Sequence, residues 1–210
     1  MYLSKLKFDP LNRQVRKEFA NRYELHRTLY AQFKSYASHE IGLLYRAEEG
    51  DPYTAGPLVT LIQSQLKPDW EPLYAQGLLM EKAEIRSYEP TCKKGELFYF
   101  RLLANPTTRR NEGSFAGKRV GLLLAEEQEA WLRRKGAEGG FMPLSLETRP
   151  SEKIISKKMI AGELATLTHL SVLYNGSLEV LDEHAFEASL VRGLGSAKAF
   201  GFGLLSLARA

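Results

Sequence analysis

The stretch ANRYELHRTLYAQFKSY, residues Ala20 to Tyr36, carries two stripes at helical spacing. Leu25, Leu29, Phe33 and Tyr36 follow the period of a helix that buries one face. Tyr23, His26, Arg27 and Tyr30 form a neighbouring stripe, and none of these is a natural core filler. Asn21 is placed to cap the helix, with Glu24 at the third helical position reaching back to it. Tyr23 then falls in the first turn and His26 in the second, near a helix end that attracts an anion such as a phosphate. A phenol, an imidazole and a guanidinium there suit phosphoryl chemistry. A half-buried helix with an amphipathic rim gives the same spacing.

Working outward, Tyr2 to Phe8 reads as a first strand that Asp9-Pro10 ends, and Leu11 to Phe19 as a short basic helix. Ile41 to Glu48 is expected to be a strand, followed by a turn-rich connection through Pro57. Leu58 to Gln65, rich in β-formers, is a clearer strand, and Lys67 to Trp70 stops it and opens a short helix or turn. Leu78 to Tyr88 gives another strand. The order strand, helix, strand, strand, helix, strand is that of the ferredoxin-like fold.

TCKKGE, Thr91 to Glu96, then marks a boundary, which predicts one domain over residues 1–90 and a second over 95–210. After it the order begins again. Leu97 to Ala104 is a strand, Asn105 to Arg119 a loop, Ala125 to Lys135 a helix with acids first and bases last. Pro143 to Glu147, Lys153 to Ile160, Thr166 to Tyr174 and Leu178 to Leu181 read as extended, with Asn175-Gly176 the strongest hairpin signal in the chain. Asp182 caps a last helix through Arg192, Gly193 closes it, and Phe200 to Leu207 is the final strand. The expected fold is α+β, with two tandem ferredoxin-like (RRM-like) domains, the second carrying an inserted β-hairpin.

The 210 residues permit two such domains, and a net charge of +4 is consistent with an acidic partner without demanding one. A single cysteine, Cys92, leaves no intrachain disulfide, and no apolar run reaches the ~18 residues of a membrane span. A soluble cytoplasmic protein is expected, with no membrane partner.

The run GLGSAKAFGFG, Gly193 to Gly203, lies between the last helix and the last strand. A nucleotide-binding fingerprint needs the reverse order, strand before and helix after. Gly193, Gly195, Gly201 and Gly203 fit a loop that lies against a nucleic-acid backbone, with Arg192, Ser196 and Lys198 touching phosphates. A sharp turn at a domain interface accounts for it equally. His26, His39, His169 and His184 share no metal-ligand spacing, so neither a metal nor another cofactor is expected. Further positive charge gathers at Arg109 and Arg110 and at Arg149, Lys153, Lys157 and Lys158. That second cluster is either a solvated strand edge or a ribbon that follows an RNA duplex through its phosphates.

Several motifs, in order along essentially the whole chain, resemble the CasE family of CRISPR repeat-RNA endoribonucleases from the type I-E Cascade system. They are MYLSKL at the start, YELHRTL from Tyr23, LVTLIQSQLKPDW from Leu58, LLANPTTRR from Leu102 and GLGSAKAFGFGLLSL from Gly193. The resemblance implies tandem ferredoxin-like domains and metal-independent cleavage of a precursor transcript at the base of each repeat hairpin. The nucleophile is the 2′-hydroxyl upstream of the scissile phosphate, and the ends are a 2′,3′-cyclic phosphate and a 5′-hydroxyl. It also implies that the protein stays on its product, the crRNA, beside other Cascade subunits. By position, Tyr23 and His26 are catalytic, and Arg27 is a weaker candidate for contacting the phosphate. Neither domain shows the aromatic signature of a base-stacking RRM sheet, so open-sheet stacking is not expected. A non-catalytic repeat-RNA-binding subunit is the competing reading.

Overall fold

A computed structural model of the chain describes residues 1–33, 36–48, 56–110, 117–160 and 162–210, the side chains of 150–152 excepted. Two four-stranded sheets dominate it. The first is built from β1 (Tyr2–Phe8), β2 (Leu44–Ala47), β3 (Leu58–Ser64) and β4 (Glu84–Ser87), in the order β2-β3-β1-β4. The second is built from β5 (Leu97–Ala104), β8 (Phe141–Ile160), β9 (Glu163–Val180) and β10 (Leu205–Arg209), in the order β10-β5-β9-β8. Counting strands within each sheet, both orders are 4-1-3-2, and the ferredoxin-like expectation holds twice over.

In the first unit the crossover from β1 to β2 contains α1 (Arg13–Ala20), α2 (Arg22–Tyr30) and the short α3 (Ser38–Ile41). Asn12 starts α1 by accepting from the Gln14 and Val15 amides, which satisfies two donors that the helix leaves free. The apolar stripe of α2 behaves as its spacing predicts: Leu25, Leu29 and Phe33 pack with Leu6, Phe8, Ile62 and Trp70 in one core. Burial of each leucine contributes about 1.5–3 kcal/mol. Tyr36 does not extend the stripe, because α2 stops at Tyr30; its side chain is 52% exposed. Ser4, on the buried face of β1, accepts a 2.9 Å hydrogen bond from the Trp70 indole, so its hydroxyl is not stranded in the core. α4 (Glu71–Ala75) follows Trp70, so of the two readings, short helix or turn, the helix holds.

In the second unit α5 (Ala125–Glu138) lays Trp131 and Leu132 on Tyr174, Phe186 and Leu190. α6 (Glu183–Arg192) is capped by Asp182, whose carboxylate accepts from the Ala185 amide at 2.9 Å.

Several local readings change. Ile41 ends a short helix rather than opening β2, and Gly42 turns the chain at φ +54°. The extended segment after Leu78 narrows to β4, with Leu79 only bridging to Phe8. The loop expected after Ala104 holds a small two-stranded sheet, β6 (Thr107–Arg109) with β7 (Arg119–Gly121). The connection from Glu48 to Pro57 lies largely outside the described residues. Asn175-Gly176 is not a turn: β9 runs straight through it, pairing Asn175 with Arg101 and Gly176 with Phe100. A Cβ on Gly176 would collide with the Ser145 carbonyl, so glycine is there for close strand approach. The last strand begins at Leu205, and Lys198–Phe200 is a 3₁₀ turn.

The division of the chain also differs from a single cut near residue 90. One compact unit comprises Met1–Glu89, Ile155–Leu167 and Lys198–Leu204, and the other the remainder. The expected second domain therefore cedes the tip of the β8–β9 hairpin and the end of the glycine-rich run to the first unit.

Candidate active site

The start of α2 departs from its local rule in a way that builds a site. Asn21 precedes the helix but makes no capping hydrogen bond, and Glu24 does not reach back to it; Glu24 holds Arg27 at 2.9 Å instead. The Asn21 amide grips the backbone of β8. It donates to the Lys157 carbonyl at 3.1 Å and accepts from the Lys157 amide at 3.2 Å. Side chains alternate along a strand, so only one of two successive lysines can turn the same way. Lys157 is exposed, whereas Lys158 is half-buried with its ammonium 4.6 Å from the centre of the Tyr23 ring. That distance is within cation–π range.

Tyr23 also packs on Phe200, their ring centres 5.8 Å apart, so the 3₁₀ turn of the glycine-rich run closes one side of the site. His26, one turn further along α2, lies 6.3 Å from Tyr23 and 5.9 Å from Tyr30, and it stacks at 6.2 Å and 19° on Tyr45 of β2. Tyr45 is fully buried and donates its hydroxyl to the Arg22 carbonyl at 2.6 Å, with the Ala199 carbonyl at 3.4 Å. Burial pushes the Tyr45 phenol well above the usual tyrosine range, so it is a fixed donor and not a proton carrier. Gly201 permits this packing: at φ +87° it brings backbone against Tyr45, where a Cβ would come within 3.1 Å of the ring.

Burial holds the His26 imidazole below its ordinary range, and the Lys158 charge lowers it further. Its Nδ1 is enclosed with no hydrogen-bond partner among the described residues, so protonation would bury a charged donor without an acceptor. A neutral ring at pH 7, with Nε2 left to reach a substrate, is a proton acceptor.

Tyr23, His26 and Lys158 therefore come together in the first unit, and Lys198 and Lys157 belong to the same unit. Arg27 is exposed and engaged with Glu24. Arg109, Arg110, Arg149, Lys153, Arg192 and Ser196 belong to the second unit. There Arg109 ends β6 opposite Arg119, Arg149 pairs with Glu147 at 2.9 Å, and Arg192 closes α6. Gly193, Gly195, Gly201 and Gly203 all have positive φ, as the glycine-rich run suggested. His39 and His184 are exposed, and His169 lies 3.4 Å from the Asn105 amide. Among the described residues no three His, Cys, Asp or Glu side chains are grouped to hold a metal ion. No described helix is long and apolar enough to cross a membrane.

Sequence spacing missed the place of Lys158, which is distant in the chain from Tyr23, and it missed Tyr45, Phe200 and Arg22. Only Arg22 had a local signal, since Arg22, His26 and Tyr30 share one helix face.

A profile of the family described as "CRISPR associated protein" matches residues 1–209. The chain is 37% identical to the CRISPR-associated endoribonuclease Cse3 of Thermus thermophilus, covering 99% of this chain and 100% of that one. It is 27% identical to the CRISPR system Cascade subunit CasE of Escherichia coli, over 89% of this chain and 91% of that one. The solved structure of Thermus thermophilus Cse3 bound to an RNA representing a pre-cleavage complex superposes with a TM-score of 0.82 at 35% identity, covering 99% of this chain and 98% of that one.

Proposed function

The chain belongs to the CRISPR-associated family of Cse3 and CasE, and from that premise we propose that it is an endoribonuclease that matures CRISPR transcripts. Its substrate is the repeat-RNA hairpin, cut at the base without a metal ion, and it remains on the crRNA as a subunit of Cascade. Its place of action is the cytoplasm, alongside the transcript.

One observation carries the chemistry: a half-buried histidine kept neutral, facing a tyrosine whose ring is covered by a lysine ammonium. His26 takes the proton of the 2′-hydroxyl through Nε2. The 2′-oxygen forms a bond to phosphorus as the bond from phosphorus to the 5′-oxygen breaks. Lys158 returns a proton to that leaving oxygen, and its charge offsets the charge that gathers on the phosphorane. Tyr23 orients the scissile phosphate. The products are a 2′,3′-cyclic phosphate and a 5′-hydroxyl.

The remaining basic side chains, together with the Ser196 hydroxyl, give affinity. Arg27, Lys157 and Lys198 in the first unit, and Arg109, Arg110, Arg149, Lys153, Arg192 and Ser196 in the second, contact phosphates and set register without reading bases. Gly193, Gly195, Gly201 and Gly203 let the backbone approach the RNA.

The test is incubation with a repeat hairpin in excess EDTA, with mapping of the ends. Cleavage is expected to persist and to leave the cyclic phosphate. A hairpin with one 2′-deoxy substitution upstream of the scissile bond is expected to bind intact. A need for added magnesium, or cutting of the deoxy substrate, rejects the mechanism.

A further inference from the structure

At the start of α2 lies a cation with no counter-ion among the described residues. Arg22 opens α2 on the same helix face as His26, and its guanidinium is covered on one side by Phe19, 5.3 Å from the ring centre. Its Nη1 is enclosed and has no hydrogen-bond partner among the described residues. The neighbouring acids do not pair with it. Glu18 accepts from Gln14 and Thr28 through Oε1, each at 2.8 Å. Its Oε2 is enclosed without a partner among the described residues and so does not reach Arg22, and Glu24 holds Arg27. The groups against Arg22 are the half-buried Phe19 ring and the buried Tyr45 phenol, which does not ionise in this setting.

A guanidinium cannot escape such a position by losing its proton at ordinary pH, so the free protein carries the desolvation cost uncompensated. Buried cations are ordinarily paired. One left unpaired beside a candidate phosphoryl-transfer site has a natural partner in the substrate. The planar fork of arginine matches two oxygens of a phosphate, and the side chain is only partly covered, which leaves it an approachable edge.

We propose that Arg22 is a phosphate-binding residue of the RNA site, and that its missing counter-ion is a phosphate of the bound RNA next to the one at Tyr23 and His26. The inference rests on the endoribonuclease reading and deepens it. Lys158 and Arg22 then grip the strand at two successive points, which holds the 2′-hydroxyl in line for attack.

The experiment compares the parent with Arg22→Met and Arg22→Lys in three measurements on the full chain. These are affinity for the 2′-deoxy-blocked repeat hairpin across a salt series, thermal midpoint with and without inorganic phosphate, and cleavage of the unmodified hairpin. Arg22→Met is expected to bind the blocked hairpin about tenfold or more weakly, with a salt dependence shallower by about one phosphate. Its thermal midpoint without ligand is expected to equal or exceed the parent's, because an uncompensated buried charge is gone. Phosphate should raise the parent's midpoint more than that of Arg22→Met, and Arg22→Lys should fall between the two.

Two results would overturn the proposal. One is binding within twofold of the parent with an unchanged salt slope and an equal response to phosphate. The other is a ligand-free midpoint well below the parent's, which makes Arg22 a structural residue. A parent that binds but does not cleave the unmodified hairpin rejects the endoribonuclease reading separately, and the phosphate comparison still decides on Arg22.

Discussion

α2 and α5 occupy corresponding crossovers, each between the first two strands of its own ferredoxin-like sheet, yet they treat polar side chains in opposite ways. α5 closes its account internally. Glu138 takes both Arg134 and Lys135, at 3.8 Å and 2.5 Å, and the Gln128 amide donates to the Leu122 carbonyl at 2.9 Å. The Tyr174 hydroxyl reaches the Gln128 carbonyl at 3.0 Å. α2 leaves His26 Nδ1 and Arg22 Nη1 enclosed without partners among the described residues, and the cation nearest Tyr23 faces a ring rather than a carboxylate. Satisfied groups of this kind hold a helix in place; unsatisfied ones cost stability and persist where a ligand completes them. The duplicated fold thus separates the two roles, with one helix for packing and one for chemistry.

Substitutions can break that contrast. The largest effect is expected from His26→Ala. Alanine preserves the helix and the Leu25–Leu29 core stripe, while the single-turnover rate should fall by at least ~10², about 2.7 kcal/mol of transition-state stabilisation. Affinity for the hairpin should change less than about tenfold. His39→Ala, His169→Ala and His184→Ala serve as controls and should cleave normally; if one of them fails while His26→Ala cuts at the parental rate, α2 is the wrong helix.

Lys158→Gln comes next. The rate should drop about tenfold or more, as expected for a donor aimed at developing charge. Lys157→Gln should weaken binding and leave the rate within a few-fold. Equal effects of the two on rate would mean that the alternation along β8 does not matter.

The pH profile sharpens the same point. Burial and the Lys158 charge both depress His26, so the rate of the parent should rise with pH through a midpoint below the ordinary ~6.5 and reach its plateau by neutral pH. Lys158→Gln removes one depressing cause, so its midpoint should move up. A downward shift would show that His26 is not the group being titrated.

The smallest effect belongs to α5. Glu138→Gln breaks an exposed pair and should cost at most about 1 kcal/mol in stability, less at high salt, with no change in cleavage.

What was legible in the sequence was whatever depends on short-range periodicity. The Leu25–Leu29 stripe, the Asp182 cap and the repeated strand and helix order all follow from neighbours a few residues apart. What was not legible depends on groups brought from elsewhere. Asn21 has the sequence of a cap, but the backbone of Lys157 competes for its amide and takes both of its hydrogen bonds. Asn175-Gly176 has the sequence of a turn, but the Ser145 carbonyl makes a side chain at 176 intolerable, and Arg101 holds Asn175 at 2.9 Å. Tyr23 and His26 could be picked out as a pair, while Lys158 could not, since nothing in its own neighbourhood distinguishes it from Lys157.

The hydrogen-bonded grip of Asn21 on Lys157 turns the strand into something like a reading frame. Side chains on a strand repeat every second residue, so losing or gaining one residue ahead of Lys157 would bring a different backbone unit to Asn21 and reverse which neighbour faces Tyr23. A one-residue insertion ahead of Lys157 is therefore expected to lower the cleavage rate more than a two-residue one. Beyond Lys158, toward the turn at Gly162, no such parity applies, and length there is free to drift with the RNA that each descendant of this chain must recognise.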